Sequence, residues 1–367
     1  MEPIQSDTPG PSIAKRSGFQ FSVRTLLLAM LTLSLLIAAW SWLGRREVRV
    51  RRLVAELKAL GGDADSKGTF FIAPSRAALD LVLTSPKDEI QTLGLGYPAK
   101  NDESGSSENS SSKATDIDDA SLAKLETLPE LRRLVIRHAR ITDDAVAVIG
   151  RLPKLELLEL DRNPLSDEGI SPLKDLARLK TLRLKNTDVT DRGLACLTTL
   201  TQLTALDLSG TQLSDDGLVH LAGLTNLTTL NLSRTKITDQ GLARLSALTR
   251  LVRLELNETQ VTGAGFESLA VLTKLQWLDL AKSKVSDADL PRLSSLPQLG
   301  RLNLNETRIT DAAVESLQAL PNLEVIELKG TPMSQEAQQA LQATVSKRRS
   351  DRKQKSTQPP LENDKRL

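Results

Sequence analysis

Leucine recurs along most of this chain with a period of 24 residues. Leu131, Leu155, Leu179, Leu203, Leu227, Leu251, Leu275, Leu299 and Leu323 follow one another at that spacing without an insertion. Each opens the pattern L-x-x-L-x-L-x-x-T-x-I-T-D-x-G-L-x-x-L-x-x-L. The opening leucines, as in Leu203, Leu206 and Leu208, place apolar side chains on one side of a short strand. The three-residue spacing that follows, as in Leu218, Leu221 and Leu224, predicts one face of a short helix. Neither element can enclose its own apolar face, so each coil needs neighbours, and the period predicts a solenoid.

The polar positions between the leucines read as turns and caps. Thr187, Thr211, Thr235, Thr259, Thr307 and Thr331 share one slot, which Asn163 and Ser283 also occupy. Their side chains are expected to satisfy turn backbone groups between coils. Ser or Thr followed by Asp, as at Thr190-Asp191, Ser214-Asp215 and Thr238-Asp239, is a helix start signal. Gly169, Gly193, Gly217, Gly241 and Gly265 follow these caps, and their missing side chain is expected to let coils stack closely. Asp289 breaks the glycine column and Gly263 replaces the usual Asp, which predicts a looser coil there.

These residues resemble the leucine-rich repeat superfamily. They look most like its 24-residue T-D-x-G-L variant, found in planctomycete-type bacterial membrane-anchored proteins and in the repeat regions of F-box proteins. The resemblance runs from Leu131 to about Leu341. It implies an α/β solenoid, curved, with parallel strands on the concave face and short helices on the convex face. It is specific for fold and unspecific for function, because such a fold hosts unrelated partners.

Outside the repeats, residues 1–23 are polar and read as a disordered tail. Residues 24–44 read as a transmembrane helix: Thr25 to Gly44 is a twenty-residue stretch without a charge, and Trp40 and Trp42 suit an interfacial belt. Its core, 25–43, is long enough to anchor the chain in a membrane as a single pass. The competing reading is a signal peptide cleaved near Ala39-Trp40-Ser41; the length of the apolar stretch and of the tail before it favours the uncleaved anchor. Phe19 to Arg24 before the anchor also resembles planctomycete membrane proteins with such repeats. Residues 10–24 carry three Lys/Arg and residues 44–58 six, which leans toward a cytoplasmic repeat domain. Residues 45–62 read as a juxtamembrane helix ending at Gly61-Gly62. Residues 63–130 read as an N-terminal cap with a degenerate repeat, split by a low-complexity, disordered insertion at 97–115. Nine repeats and a C-terminal cap fill 131–346, and 347–367 reads as a basic disordered tail.

Charge narrows the function classes. Residues 1–60 hold nine Lys/Arg against four Asp/Glu, and residues 347–367 hold eight against three. With a net charge of +2 for the whole chain, the body between them is acidic at −8. That balance argues against nucleic-acid binding by the repeats. The two histidines, His138 and His220, lie far apart in sequence, and no phosphate loop, nucleophile elbow or kinase signature occurs. No cofactor, metal or small-molecule substrate is therefore expected, nor catalysis. The single Cys196 excludes an intrachain disulfide and shares its slot with Val148 and His220, as a packed thiol would.

The remaining candidate is the strand face. One outward slot holds Glu159, Arg183, Asp207, Asn231, Glu255, Asp279, Asn303 and Glu327, and the slot two residues earlier holds Arg133, Thr229, Arg253, Trp277 and Arg301. Trp and Arg most often carry interface energy. Trp277, Arg253, Arg301, Glu255, Asp279, Asp207 and Asn303 are thus the expected protein-binding residues, for an unidentified partner of basic character on the concave face. A different reading is a substrate-recognition subunit of ubiquitin-type ligation, implied by the resemblance to F-box repeats. No F-box-like helical segment precedes the repeats.

Overall fold

The computed structural model describes residues 90–95 and 117–357, with shorter stretches at 55, 63–64, 70–73 and 78–79. All of them fall in one compact unit, 52–367. The tail, anchor and insertion expected at 1–23, 24–44 and 97–115 lie outside the described residues, as does the juxtamembrane helix apart from Ala55. Among the described residues no helix is long and apolar enough to cross a membrane.

Among the described residues twelve strands form one sheet in sequence order. They are β1 (Asp63–Ala64), β2 (Phe70–Ala73), β3 (Thr92–Leu95), β4 (Arg133–Ile136), β5 (Leu157–Glu159), β6 (Thr181–Arg183), β7 (Ala205–Asp207), β8 (Thr229–Asn231), β9 (Arg253–Glu255), β10 (Trp277–Asp279), β11 (Arg301–Asn303) and β12 (Val325–Glu327). β1 pairs antiparallel with β2. β3 to β12 are ten parallel strands, and from β4 onward each residue faces the one 24 positions later. The middle residue of each three-residue strand is buried, and the outer two are not, as in Thr229–Asn231, except that Glu159 at the end of β5 is also buried.

The helical halves are short and often 3₁₀, as at Gly193–Thr199 and Asp215–Leu221; Asp143–Ile149 and Asp239–Arg244 are α-helical. Three residues per turn matches the L-x-x-L-x-x-L spacing directly. One coil buries Leu203, Leu206, Leu208, Leu213, Leu218, Leu221 and Leu224 at 0–1% exposure. Coil after coil repeats this, so the core is one continuous column.

The Asp of each Ser/Thr-Asp pair does more than start its own helix. Its carboxylate reaches the next coil, where it accepts from the backbone N–H and the hydroxyl of the following Ser or Thr. Thr190 N and Oγ1 donate to Asp167 at 2.7 and 2.6 Å, and Thr238 N and Oγ1 to Asp215 at 2.8 and 2.5 Å. This places a carboxylate where a glycine Cβ would stand. A Cβ on Gly193 would lie 2.5 Å from Asp167 Oδ1, and Gly217 and Gly241 meet Asp191 and Asp215 in the same way.

The looser coil expected at Gly263 and Asp289 does not form. A carboxylate at position 263 would have served Ser286. Asp289 serves it instead from within the coil, accepting from Ser286 N at 2.9 Å and Oγ at 2.8 Å. A Cβ on Gly263 would run into the Asp289 side chain. Asp and Gly have exchanged places across one coil boundary, and the carboxylate still fills the gap.

The threonine slot differs from expectation as well. Thr187, Thr211 and Thr259 donate to the carbonyls of Leu184, Leu208 and Leu256 at 2.7, 2.6 and 2.6 Å, all within their own coil. Only the longer Asn163 spans two coils, giving Nδ2 to Leu160 O and Ile136 O and accepting from Ala139 N. Ser283, in the same slot, leaves its buried hydroxyl without a partner. The residue before this slot is left-handed in every coil, from His138 (φ 51°) through Arg234 and Lys282 to Gly330 (φ 74°).

The tail expected from Lys347 is helical to Thr357, as part of one helix, Gln335–Thr357. Leu341 and Val345 are buried against the last coil. Arg348 donates to the carbonyls of Gln318 and Leu320 at 2.6 and 2.8 Å, and Arg352 pairs with Glu324 at 2.8 Å. The guanidinium groups thus satisfy coil-end carbonyls that have no following coil.

Candidate partner-binding face

Because the central leucine of each strand points inward, the residues on either side of it point out, in two rows that cross the strands. In the first row Trp277 pairs in register with Arg253 on one side and Arg301 on the other. The Arg253 guanidinium lies 3.3 Å from the centroid of the Trp277 ring and that of Arg301 5.5 Å away. The three side chains form a stack, with cations on both sides of the ring. The second row sets Glu255 beside Asp279 and Asp279 beside Asn303.

The second row is unequal along its length. In its first half Arg137 bonds Glu159 at 2.5 Å, and Arg183 lies 3.3 Å from Asp161 and 3.4 Å from Asp207. Burial works against the charge of Arg183, but Asp161, Asp207 and Glu159 outweigh it and raise its pKa. Asp161 is pushed up by burial despite Arg183. In the second half ion pairs are fewer. Glu255 pairs with Arg253 and accepts from Asn231 Nδ2 at 2.8 Å. Burial still raises its pKa, and burial raises that of Asp279 too. Among the described residues no carboxylate pairs with Arg301, which is exposed.

The expected site residues therefore fall into two groups. Trp277, Arg253, Arg301, Glu255 and Asp279 come together on β9 to β11. Asp207 lies two strands before Glu255 and belongs to the Arg183 network. Part of the second row also has a structural duty. Asp207 Oδ1 accepts from Ser209 N at 3.0 Å, Asp279 Oδ1 from Ala281 N at 3.0 Å and Asn303 Oδ1 from Asn305 N at 3.0 Å. Each closes a local turn at the strand end. Asn231, tied to Glu255, and Arg183, the hub of the first half, are members that residue type alone did not single out.

Other chemistry is sparse. Among the described residues no group of three His, Cys, Asp or Glu side chains could hold a metal. Burial pushes the Cys196 thiol up to about 11, and its Sγ lies 3.4 Å from Ile170 O, which keeps it protonated. Burial, then Arg162, lowers the pKa of His138, whose Nε2 is 2.8 Å from Arg162 Nη1. A wide hollow of about 520 Å³ lined by Thr211, Gln212, Arg234, Thr235, Lys236 and Glu258 contains none of the stacked residues.

The family described as "Leucine Rich repeat" matches residues 151–174, 199–222 and 223–246. No curated protein matches the chain. Among solved structures it is similar to an internalin (inlF) from Listeria monocytogenes str. 4b F2365, at 20% identity and a TM-score of 0.49 over 80% of this chain and 92% of that one. It is also similar to an internalin C2 (inlC2) from the same organism, at 24% identity and a TM-score of 0.44 over 69% and 92% of the two chains.

Proposed function

We propose that this chain, which matches the leucine-rich repeat family over residues 151–174, 199–222 and 223–246, is a membrane-anchored, non-catalytic scaffold binding a protein of basic character through β9 to β12. The observation that carries this reading is the Arg253–Trp277–Arg301 stack beside Glu255 and Asp279. The stack holds a large aromatic half-buried and in place, which reduces the ordering cost of using it in an interface. Burial raises the pKa values of Glu255 and Asp279 even though Glu255 pairs with Arg253, so a partner's Lys or Arg adds favourable charge to this face. The leucine-rich repeat fold typically serves as a protein-binding scaffold. Anchoring rests on the apolar stretch 25–43 and on the resemblance to planctomycete-type membrane proteins; the positive-inside balance leans toward a cytoplasmic repeat domain.

The test is affinity capture by the full chain, read by mass spectrometry, with Trp277→Ala and the Glu255→Ala/Asp279→Ala pair as matched baits. A genuine partner is lost from both variants, Trp277→Ala costing about 2 kcal/mol of binding. A partner retained equally by all three baits refutes the site. Resistance of the protein to alkaline carbonate extraction tests the anchor; release into the soluble fraction, or a mature N-terminus near Trp42, refutes it.

A further inference from the structure

The spacing of the two rows bears on the shape of the partner. Adjacent strands of a sheet lie about 4.8 Å apart, so Glu255, Asp279 and Glu327 stand at about 0, 4.8 and 14.4 Å along the row, with Asn303 between. An α-helix rises about 1.5 Å per residue, so positions i, i+3, i+7 and i+10 fall on one side at about 0, 4.5, 10.5 and 15 Å. The two series stay in step within about 1 Å over all four coils. An extended peptide repeats its same-side residues every 6.5–7 Å or so and falls out of step after one coil. The parallel row adds a second requirement, since Arg301 is exposed and pairs with no described carboxylate.

From this match we propose that the occupant of the face is an α-helix lying across β9 to β12. Its basic side chains at i, i+3 and i+10 meet Glu255, Asp279 and Glu327, its apolar flank meets Trp277, and an acidic residue on that flank meets Arg301. The proposal rests on the reading of this face as the binding surface and names the kind of element it takes.

Two capped alanine-based peptides of about fourteen residues, each with four lysines, separate the alternatives. One carries lysine at i, i+3, i+7 and i+10; the other carries the same four at alternate positions. Each is titrated calorimetrically into the full chain and into the Glu255→Gln/Asp279→Gln/Glu327→Gln variant at low salt, with circular dichroism confirming that the variant is folded. The helically spaced peptide is expected to bind about tenfold tighter than its comparator, and that advantage is expected to vanish in the variant. Equal binding of both peptides, weakened in the variant, overturns the helix while the face stands. Binding of either peptide that is unchanged in the variant overturns the face as well. Failure of both peptides to bind overturns the helix, and the capture experiment then judges the face separately.

Discussion

Two columns of carboxylates cross the coils of this molecule. In the first, Asp143, Asp167, Asp191, Asp215 and Asp239 each hold two donors from the next coil at 2.5–2.9 Å. In the second, on the sheet face, Glu255 and Asp279 keep raised pKa values because burial outweighs their partners. The same chemical group is thus a structural fastener where its acceptors join one coil to the next, and a group of the binding face where burial outweighs the partners it has. The difference lies in donors: each of the five in the first column takes a backbone N–H and a hydroxyl from the next coil, while on the face Glu255 takes the Arg253 and Asn231 side chains and Asp279 the Ala281 N–H of its own coil.

The strongest way to break this distinction lies at the exchanged pair. Gly263→Asp alone forces a side chain into the space of Asp289 and is expected to cost about 3 kcal/mol, as overpacking does. Adding Asp289→Gly restores the arrangement of the other coils, and urea denaturation of the double variant should return to within about 1 kcal/mol of the parent. A double variant no better than the single one would mean that the two positions are independent. Next in size, Asp215→Ala strips Thr238 of both acceptors and should cost about 2 kcal/mol. Arg183→Ala should cost a similar amount, about 2 kcal/mol after allowing for its partial exposure, because Asp161 is left buried without its cation. Little loss in Arg183→Ala would place the whole face in the solvated class and blur its two halves.

Much of this was legible in the sequence, and the parts that were not share a cause. The strands, the inward leucines and the juxtaposition of Trp277 with Arg253 and Arg301 follow from a fixed period, because the register repeats it. Gly263 and Asp289 were each visible as lapses, but their compensation appears only when one coil is stacked on the next. The threonine hydroxyls bond within their coil, and spacing cannot separate that from a bond between coils, since both recur at the same interval. The left-handed turn escaped notice because Gly210 and Gly330 are its only glycines, and His138, Arg162 and Glu258 hold the same conformation. Arg348 and Arg352 read as part of a charged tail because their acceptors lie a full coil earlier in the chain. On the face, Asp207 and Asp279 suit both a solvated surface and a turn closure, and residue type alone does not choose.

A smaller effect sharpens the contrast from the other side. The folded pKa values of Glu255 and Asp279 lie above the ordinary carboxylate range, so the folded protein holds these protons more tightly than the unfolded chain. Their contribution to stability is present below that ordinary range and is lost as pH rises through the folded values. Glu255→Gln and Asp279→Asn should therefore leave stability at neutral pH unchanged or slightly raised, and should flatten the fall in stability of the parent above mildly acidic pH. A clear loss of stability at neutral pH in both variants would place these acids with the fasteners.

The most direct measurement combines binding and stability on one pair of variants. Glu255→Gln/Asp279→Asn and Asp216→Asn/Glu267→Gln remove equal charge, the second pair from exposed helical positions. Partner capture by each full-length variant is quantified alongside its urea midpoint. The account predicts about tenfold weaker capture by the Glu255/Asp279 variant alone, with both midpoints near that of the parent. Equal capture by the two variants would contradict it.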